Sequence, residues 1–268
     1  MIPALPALRY WLIIPAAGLG QRLGAGLPKQ YLEVAGRCLL EWALAPFLAD
    51  PRCMGVVLSL AADDRWWPGL RARLSRGVLE ARGGAERSDS VRQALELLAG
   101  RVADDPWVLV HDAARPCVSR QEIDALLGAV ADHPDGGLLA LPLADTLKRA
   151  DAVAGNPPVV ARTESRKGLW RALTPQAFRL RPLLAALQAA AQAGRVPTDE
   201  AEAIEWAGLG RPLLVAGSAS NLKVTTPADL ALVTRLLTTC DGPAVGDGSV
   251  ACDGPAAGGG ASRTVAQG

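Results

Sequence analysis

Residues 15 to 30 read Pro-Ala-Ala-Gly-Leu-Gly-Gln-Arg-Leu-Gly-Ala-Gly-Leu-Pro-Lys-Gln and follow directly on an apolar run, Trp11 to Ile14. The chemistry open to such a stretch is anion capture. Gly18, Gly20, Gly24 and Gly26 let the backbone bend tightly and bring bare N–H groups against a ligand, and Arg22 and Lys29 add the full charges that a triphosphate requires. A second string, Val108-Leu109-Val110-His111-Asp112-Ala113-Ala114-Arg115-Pro116, sets an acid, two small residues and a cation where an apolar strand runs out. In a parallel α/β sheet that exit is the ligand edge. Asp112 is placed there to meet a metal ion or a substrate hydroxyl, and Arg115 to meet a phosphate, while His111 reads as a structural partner.

Both common nucleotide fingerprints fail on the first string. A dinucleotide turn needs a third glycine where Leu23 stands, and a P-loop needs Gly-Lys followed by Ser or Thr. What residues 15 to 30 do resemble is the entry loop of nucleotidyltransferases that activate sugar or polyol phosphates, through Ala16-Ala17-Gly18-x-Gly20-x-Arg22 and Pro28-Lys29-Gln30. Further on, Gly83-Gly84 would let main chain approach a flat base, whose donors and acceptors backbone groups can read. Arg87 and Arg92 beside it read as solvated or structural, and Trp170 as core.

The elements that must carry these strings follow an α/β rhythm. Apolar runs of strand length at 11–14, 55–60, 107–111, 137–141 and 212–216 alternate with helical patterns at 39–49, 88–99, 119–131, 181–193, 199–207 and 227–237. The runs are too apolar for a half-exposed sheet, which predicts strands covered on both faces. Ser119 with Glu122 predicts a capping box, and Thr226-Pro227 with Asp229 a helix start; Thr174-Pro175-Gln176 reads as a turn and Thr198-Asp199-Glu200 as a further helix start. Residues 142–168 are polar around Asn156-Pro157-Pro158 and predict an extended, hairpin-like arm. Residues 241–268, rich in Gly and Ala, predict a disordered appendage.

Composition narrows the function classes. A net charge of +1 and a pI near 7.6 give no basic surface for nucleic acid or membrane, so cations matter as local clusters. Five scattered cysteines without a Cys-x-x-Cys and two histidines argue against a disulfide framework and a zinc site. The N-terminal stretch lacks a basic n-region and no run approaches the ~18 apolar residues of a membrane span, so a cytoplasmic protein is expected.

Seven landmarks stand in order: Pro15 to Tyr31, Gly83-Gly84-Ala85-Glu86-Arg87-Ser88-Asp89-Ser90-Val91, Val110 to Pro116, Asp145 to Arg149, Leu169 to Gln176, Thr198-Asp199-Glu200 and Asn221 to Thr225. Through them residues 8–238 resemble the 2-C-methyl-D-erythritol 4-phosphate cytidylyltransferase family, with Ala85 standing where an acidic residue is often found. The resemblance implies a Rossmann-like nucleotidyltransferase fold, a mostly parallel central sheet flanked by helices with a protruding β-arm, and a homodimer joined through that arm. It implies transfer of a cytidylyl group from CTP to 2-C-methyl-D-erythritol 4-phosphate with release of pyrophosphate. CTP would lie on Ala16, Ala17, Gly18, Gly20, Arg22 and Lys29, and on Gly84, Ala85, Ser90, Asp112 and Ala113. The acceptor would lie on Asp112, Arg115, Thr146, Arg166 and Lys223, with Arg166 reaching into the partner's pocket. Arg22, Lys29, Arg166 and Lys223 carry catalysis in this reading, and Mg²⁺ is held mainly by the CTP phosphates with Asp112 as a possible ligand. Two other readings stand beside it: a cytidylyltransferase for another polyol phosphate such as ribitol 5-phosphate, and a dinucleotide-binding oxidoreductase, which Leu23 disfavours.

Overall fold

The computed structural model describes residues 8–18, 27–74, 77–151 and 157–240. Gly20, Arg22, Gly24 and Gly26 of the first string, and the expected tail from 241 on, lie outside the described residues. Along the chain the elements are β1 (Tyr10–Pro15), a 3-10 turn at Lys29–Tyr31, β2 (Glu33–Val34), β3 (Arg37–Cys38), α1 (Leu39–Leu48), β4 (Cys53–Leu60), α2 (Trp67–Arg71), β5 (Val78–Arg82), α3 (Arg87–Ala99) and β6 (Trp107–Val110). Then come α4 (Arg120–Val130), β7 (Gly137–Pro142), β8 (Leu147–Asp151), β9 (Val159–Glu164), β10 (Trp170–Arg179), α5 (Leu180–Gln192), α6 (Glu200–Trp206), β11 (Leu213–Ala216) and α7 (Pro227–Cys240).

Seven strands form one sheet in the order β11-β7-β10-β6-β1-β4-β5. β10 is antiparallel to both of its neighbours and the other pairs are parallel. The reversal has a simple cause. β7 leaves the sheet at Pro142, the β8–β9 hairpin forms the arm, and β10 returns beside β7 with Trp170 opposite Pro142. The expected arm is therefore an insertion between two neighbouring strands, and the mostly parallel sheet is as the sequence predicts.

Side chains alternate across this sheet as strand geometry requires. From β1, Leu12 and Ile14 pack on one face with Leu40, Leu44 and Phe47 of α1 and Leu126 of α4. Ile13 packs on the other face with Val91, Leu95 and Leu98 of α3 and Leu183 of α5. Each such fully buried aliphatic side chain contributes about 1.5–3 kcal/mol.

Two strands of the seven-stranded sheet fall outside the apolar runs, and both have a local reason. β5 carries Glu80 at its centre, and β10 contains Thr174-Pro175-Gln176, so the expected turn lies inside a strand whose register shifts between Ala172 and Gln176. Trp170, expected in the core, is 39% exposed, because it pairs with Pro142 at the foot of the arm, where the ends of both strands are open to solvent.

Gly136 leads into β7 with a φ of +74°, and a Cβ there would stand 2.3 Å from the Ala177 carbonyl oxygen and 2.5 Å from the Phe178 ring. Gly136→Ala is expected to lose about 2–4 kcal/mol through strain and overpacking, read as a lower urea midpoint with unchanged slope. An unchanged midpoint would show that the β7–β10 packing yields freely at this point.

Candidate active site

The parallel strands β1, β4, β5 and β6 all end at one edge, with Pro15 level with Ser59, Leu60 with Arg82, and Val110 with Ile13. Their loops wall a cleft of about 710 Å³ lined by residues 15–18, 29–30, 84–87, 90, 112–114 and 223. Gly83 makes this wall possible. Its N–H donates to the Leu60 carbonyl at 2.7 Å, and a Cβ on it would fall 2.1 Å from the Ala17 Cβ, so only glycine lets the loops after β1 and β5 touch. The start of α3 also lines the cleft, through its capping residue Glu86 and through Arg87 and Ser90. Ser90 lines the cleft, but its hydroxyl accepts the Gly84 N–H at 3.1 Å and donates to the Glu86 carbonyl at 3.2 Å, which shapes the loop.

At the mouth of β6, Asp112 is buried and meets three cations. Its Oδ1 accepts from Arg87 Nε at 2.9 Å; its Oδ2 takes Lys223 Nζ at 3.0 Å and Arg115 Nε at 3.3 Å. Burial alone would favour the neutral acid, but the charges of Arg87, Lys223 and Arg115 outweigh it and hold the carboxyl far below its ordinary range. Arg87 in turn gives both terminal nitrogens to buried Glu200, at 2.6 and 3.1 Å. Of the two readings of Arg87, solvated or structural, the second is the one the fold bears out: it sits in the cleft wall bridging two carboxylates. Three cations against two carboxylates leave the cluster net positive before Lys29 is added.

Behind Asp112 the hydrogen bonds run in one direction. The Asp112 N–H donates to Thr174 Oγ1 (3.1 Å), Thr174 donates to His111 Nδ1 (3.0 Å), and His111 Nε2 donates to the Arg115 carbonyl (3.0 Å). This chain closes only with a neutral imidazole, and burial pushes His111 down to about 4. Its reading as a structural partner agrees with that geometry.

The loop bearing Lys223 is tied to the same edge. Asn221 Nδ2 donates to Glu122 Oε1 (3.2 Å) and to the Thr174 carbonyl (2.9 Å), its own carbonyl accepts from Arg115 Nη1 (2.8 Å), and the Val224 N–H donates to the Ala114 carbonyl (2.8 Å). Lys29 Nζ donates to the Val224 carbonyl at 3.3 Å, so the lysine after the glycine string and Lys223 stand on adjoining segments of one wall. The capping box at Ser119 is present, and Glu122 does more than cap: its second oxygen holds the 218–221 loop through Ser218 N–H and Asn221.

Of the residues singled out in the sequence, Ala16, Ala17, Gly18, Lys29, Gly84, Ala85, Ser90, Asp112, Ala113 and Lys223 share the cleft. Arg115 does not line it; it is buried behind Asp112 as a tie to the Asn221 loop, which corrects its placement as an open phosphate contact. Thr146 and Arg166 are exposed on the arm, away from the cleft lining of their own chain. Asp112 is poorly suited as a metal ligand, since both its oxygens face cations, and among the described residues no group of three His, Cys, Asp or Glu is placed to hold a metal ion. Arg87, Glu200 and Thr174 were missed as site residues because each looked locally sufficient as a surface cation, a helix start or a turn.

A mostly parallel α/β sheet with a small-residue, net-positive cleft over its strand ends defines a nucleotide-binding α/β protein of nucleotidyltransferase type. The chain belongs to the 2-C-methyl-D-erythritol 4-phosphate cytidylyltransferase family, whose model matches residues 10–239. It is 53% identical over 228 residues to the enzyme of that name from Pseudomonas aeruginosa, covering 84% of this chain and 94% of that protein. It is 50% identical over 234 residues to the one from Halorhodospira halophila, covering 86% and 94%. Among solved structures, a 4-diphosphocytidyl-2C-methyl-D-erythritol synthase superposes with a TM-score of 0.73 at 34% identity, covering 86% of this chain and 99% of that one. The cytidylyltransferase from Thermus thermophilus superposes at 0.69 and 33%, covering 86% and 100%. Among the described residues no helix is long and apolar enough to cross a membrane.

His111 sets an acid limit on this site. Its ordinary value is 6.5 and its folded value about 4, so between these the unfolded chain binds the extra proton and stability falls as pH falls. Acidification from pH 7 to 4.5 is expected to cost the wild type about 2–3 kcal/mol more than it costs His111→Gln, measured by urea unfolding without ligands. Equal acid sensitivity in the two proteins would assign the loss to other groups.

Proposed function

We propose that the protein transfers the cytidylyl group of CTP to 2-C-methyl-D-erythritol 4-phosphate, giving 4-diphosphocytidyl-2-C-methyl-D-erythritol and pyrophosphate, as the names of its relatives suggest. The observation that carries this reading is the Lys29 to Val224 contact, which brings the cation beside the glycine string next to the Lys223 loop. Two anions must meet in this reaction. An acceptor phosphate oxygen attacks the α-phosphorus, the bond from that phosphorus to the bridging β-phosphate oxygen breaks, and pyrophosphate leaves. The attacking oxygen is already ionised, so no general base is required, and catalysis rests on alignment and on neutralising charge. At 4 Å and an effective dielectric near 20, each cation is worth ~4 kcal/mol before desolvation.

In this reading the base lies along Gly84 and Ala85, with the triphosphate over Ala16 to Gly18 against Lys29 and Arg22. Lys223, oriented by Asp112, turns the acceptor phosphate towards it. A magnesium ion brought in with CTP would add to the charge neutralisation, and the described residues offer it no cluster of acidic ligands of their own. The β8–β9 arm exposes Val159 and Val160, and a lone two-stranded hairpin is marginal in water, which supports a homodimer formed arm to arm. Arg166 and Thr146, away from their own cleft, would then serve the acceptor site, Arg166 across the dimer.

Pyrophosphate release from CTP with the methylerythritol phosphate, in competition with ribitol 5-phosphate, tests the reaction and separates it from the other polyol reading. Lys29→Ala is expected to lower kcat by about a hundredfold or more while the protein stays folded. A folded variant with near-normal kcat would remove Lys29 from the chemistry. For the shared site, Arg166→Ala and Lys223→Ala chains are mixed: one pocket of the mixed dimer keeps both cations and the other loses both. Activity is expected to recover partly over either mutant alone. No recovery after verified subunit exchange would place Arg166 within its own chain's site or outside the mechanism.

A further inference from the structure

The two oxygens of Asp112 are divided between different tasks. Oδ2 receives Lys223 and Arg115, whereas Oδ1 receives only Arg87 among the described residues. Whatever fixes Oδ1 also fixes the rotation of the carboxylate, and so the direction in which Oδ2 presents Lys223. Arg87 is equipped for this. It occupies the first position of α3, and its guanidinium is held by three hydrogen bonds to two carboxylates on separate segments, Nε to Asp112 and both terminal nitrogens to Glu200. Glu200 is almost wholly buried at the start of α6, where Asp199 caps the helix by accepting the Glu202 N–H. A planar fork bound at three of its five N–H groups has its plane determined, which a lysine ammonium, a point charge on a flexible stem, cannot reproduce.

We infer that Arg87, anchored by Glu200, is a positioning residue for the acceptor half of the reaction: it locks the Asp112 carboxylate so that Lys223 is aimed at the acceptor phosphate. This deepens the proposed transfer reaction and rests on it. In the proposed reading the donor half uses the backbone of residues 16–18 and 84–85 together with Lys29, whose Nζ donates to the Val224 carbonyl. Disturbing Arg87 therefore acts on the two substrates unequally. Removing Arg87 alone also strands Glu200 as a buried, unpaired charge, whereas replacing both partners by apolar side chains of similar volume is often neutral for stability.

The test uses the full-length protein in three forms: wild type, Arg87→Met with Glu200→Met, and Arg87→Lys. KM for the acceptor is read from pyrophosphate release, and CTP affinity from calorimetry without acceptor. Wild-type pyrophosphate release is measured first, and its absence would defeat the transfer reaction itself and not this inference in particular. With an active wild type, the double variant is expected to melt near the wild-type temperature, to bind CTP within about threefold, and to show an acceptor KM raised about tenfold or more. Arg87→Lys, which keeps the charge but not the fork, is expected to show the same rise, and it decides the question if the double variant fails to fold. An acceptor KM within threefold of wild type in the folded variant, a fall in CTP affinity by the same factor, or full rescue by lysine would each overturn the inference.

Discussion

A carboxylate taken out of water at the end of a β-strand must be neutralised where it stands, and the cost of leaving it unpaired is several kcal/mol. Asp112 meets that constraint with Arg87, Arg115 and Lys223, residues that arrive from the start of α3, from its own loop and from the segment before α7. Each partner has a further obligation, Arg87 to Glu200 and Arg115 to the Asn221 carbonyl. One buried charge thus joins four segments of the chain into a single wall.

The wall is stiffened from behind by groups with no charge to offer a ligand. Thr174 and the neutral His111 pass hydrogen bonds from the Asp112 N–H to the Arg115 carbonyl, and the His111 N–H reaches the Ile13 carbonyl at 2.9 Å, at the edge of the central pair of strands. The loop that carries the acid is therefore braced by β1 on one side and by β10 on the other. On the opposite side of the cleft the constraint is steric. Gly83 against Ala17 closes the loops after β1 and β5 upon each other, leaving a surface of small residues and main-chain groups. A cleft that combines cations with small residues and main-chain groups suits a ligand that is polyanionic at one end and planar at the other.

The arm belongs to a different physical regime from the body. β7 and β10 are buried through the body of the sheet and become exposed at their paired ends, where the arm begins. Its own two strands bury almost nothing, and ion pairs such as Arg149 and Arg162 to Glu164 are exposed and weak. A two-stranded hairpin of this kind gains little stability of its own in water.

Local order was legible in the residues alone. The apolar runs around Ile13, Val57, Leu109 and Leu139 marked buried strands because burial on both faces leaves no room for alternation. Ser119 with Glu122 marked a helix start because capping is a contact between near neighbours, and Gly18, Lys29, Asp112 and Lys223, singled out in the sequence, line one cleft. Arg22 and Gly20 of the glycine string lie outside the described residues. What tertiary structure alone decided are the pairings between distant parts: Arg87 with Asp112 across 25 residues and with Glu200 across 113, Arg115 turned inward to Asn221 across 106, and Thr174 drawn from an apparent turn into β10 to meet His111 across 63. Propensity and periodicity reach only a few residues along a chain, while Coulomb attraction and the cost of burying a charge act on whatever the fold places within a few ångströms.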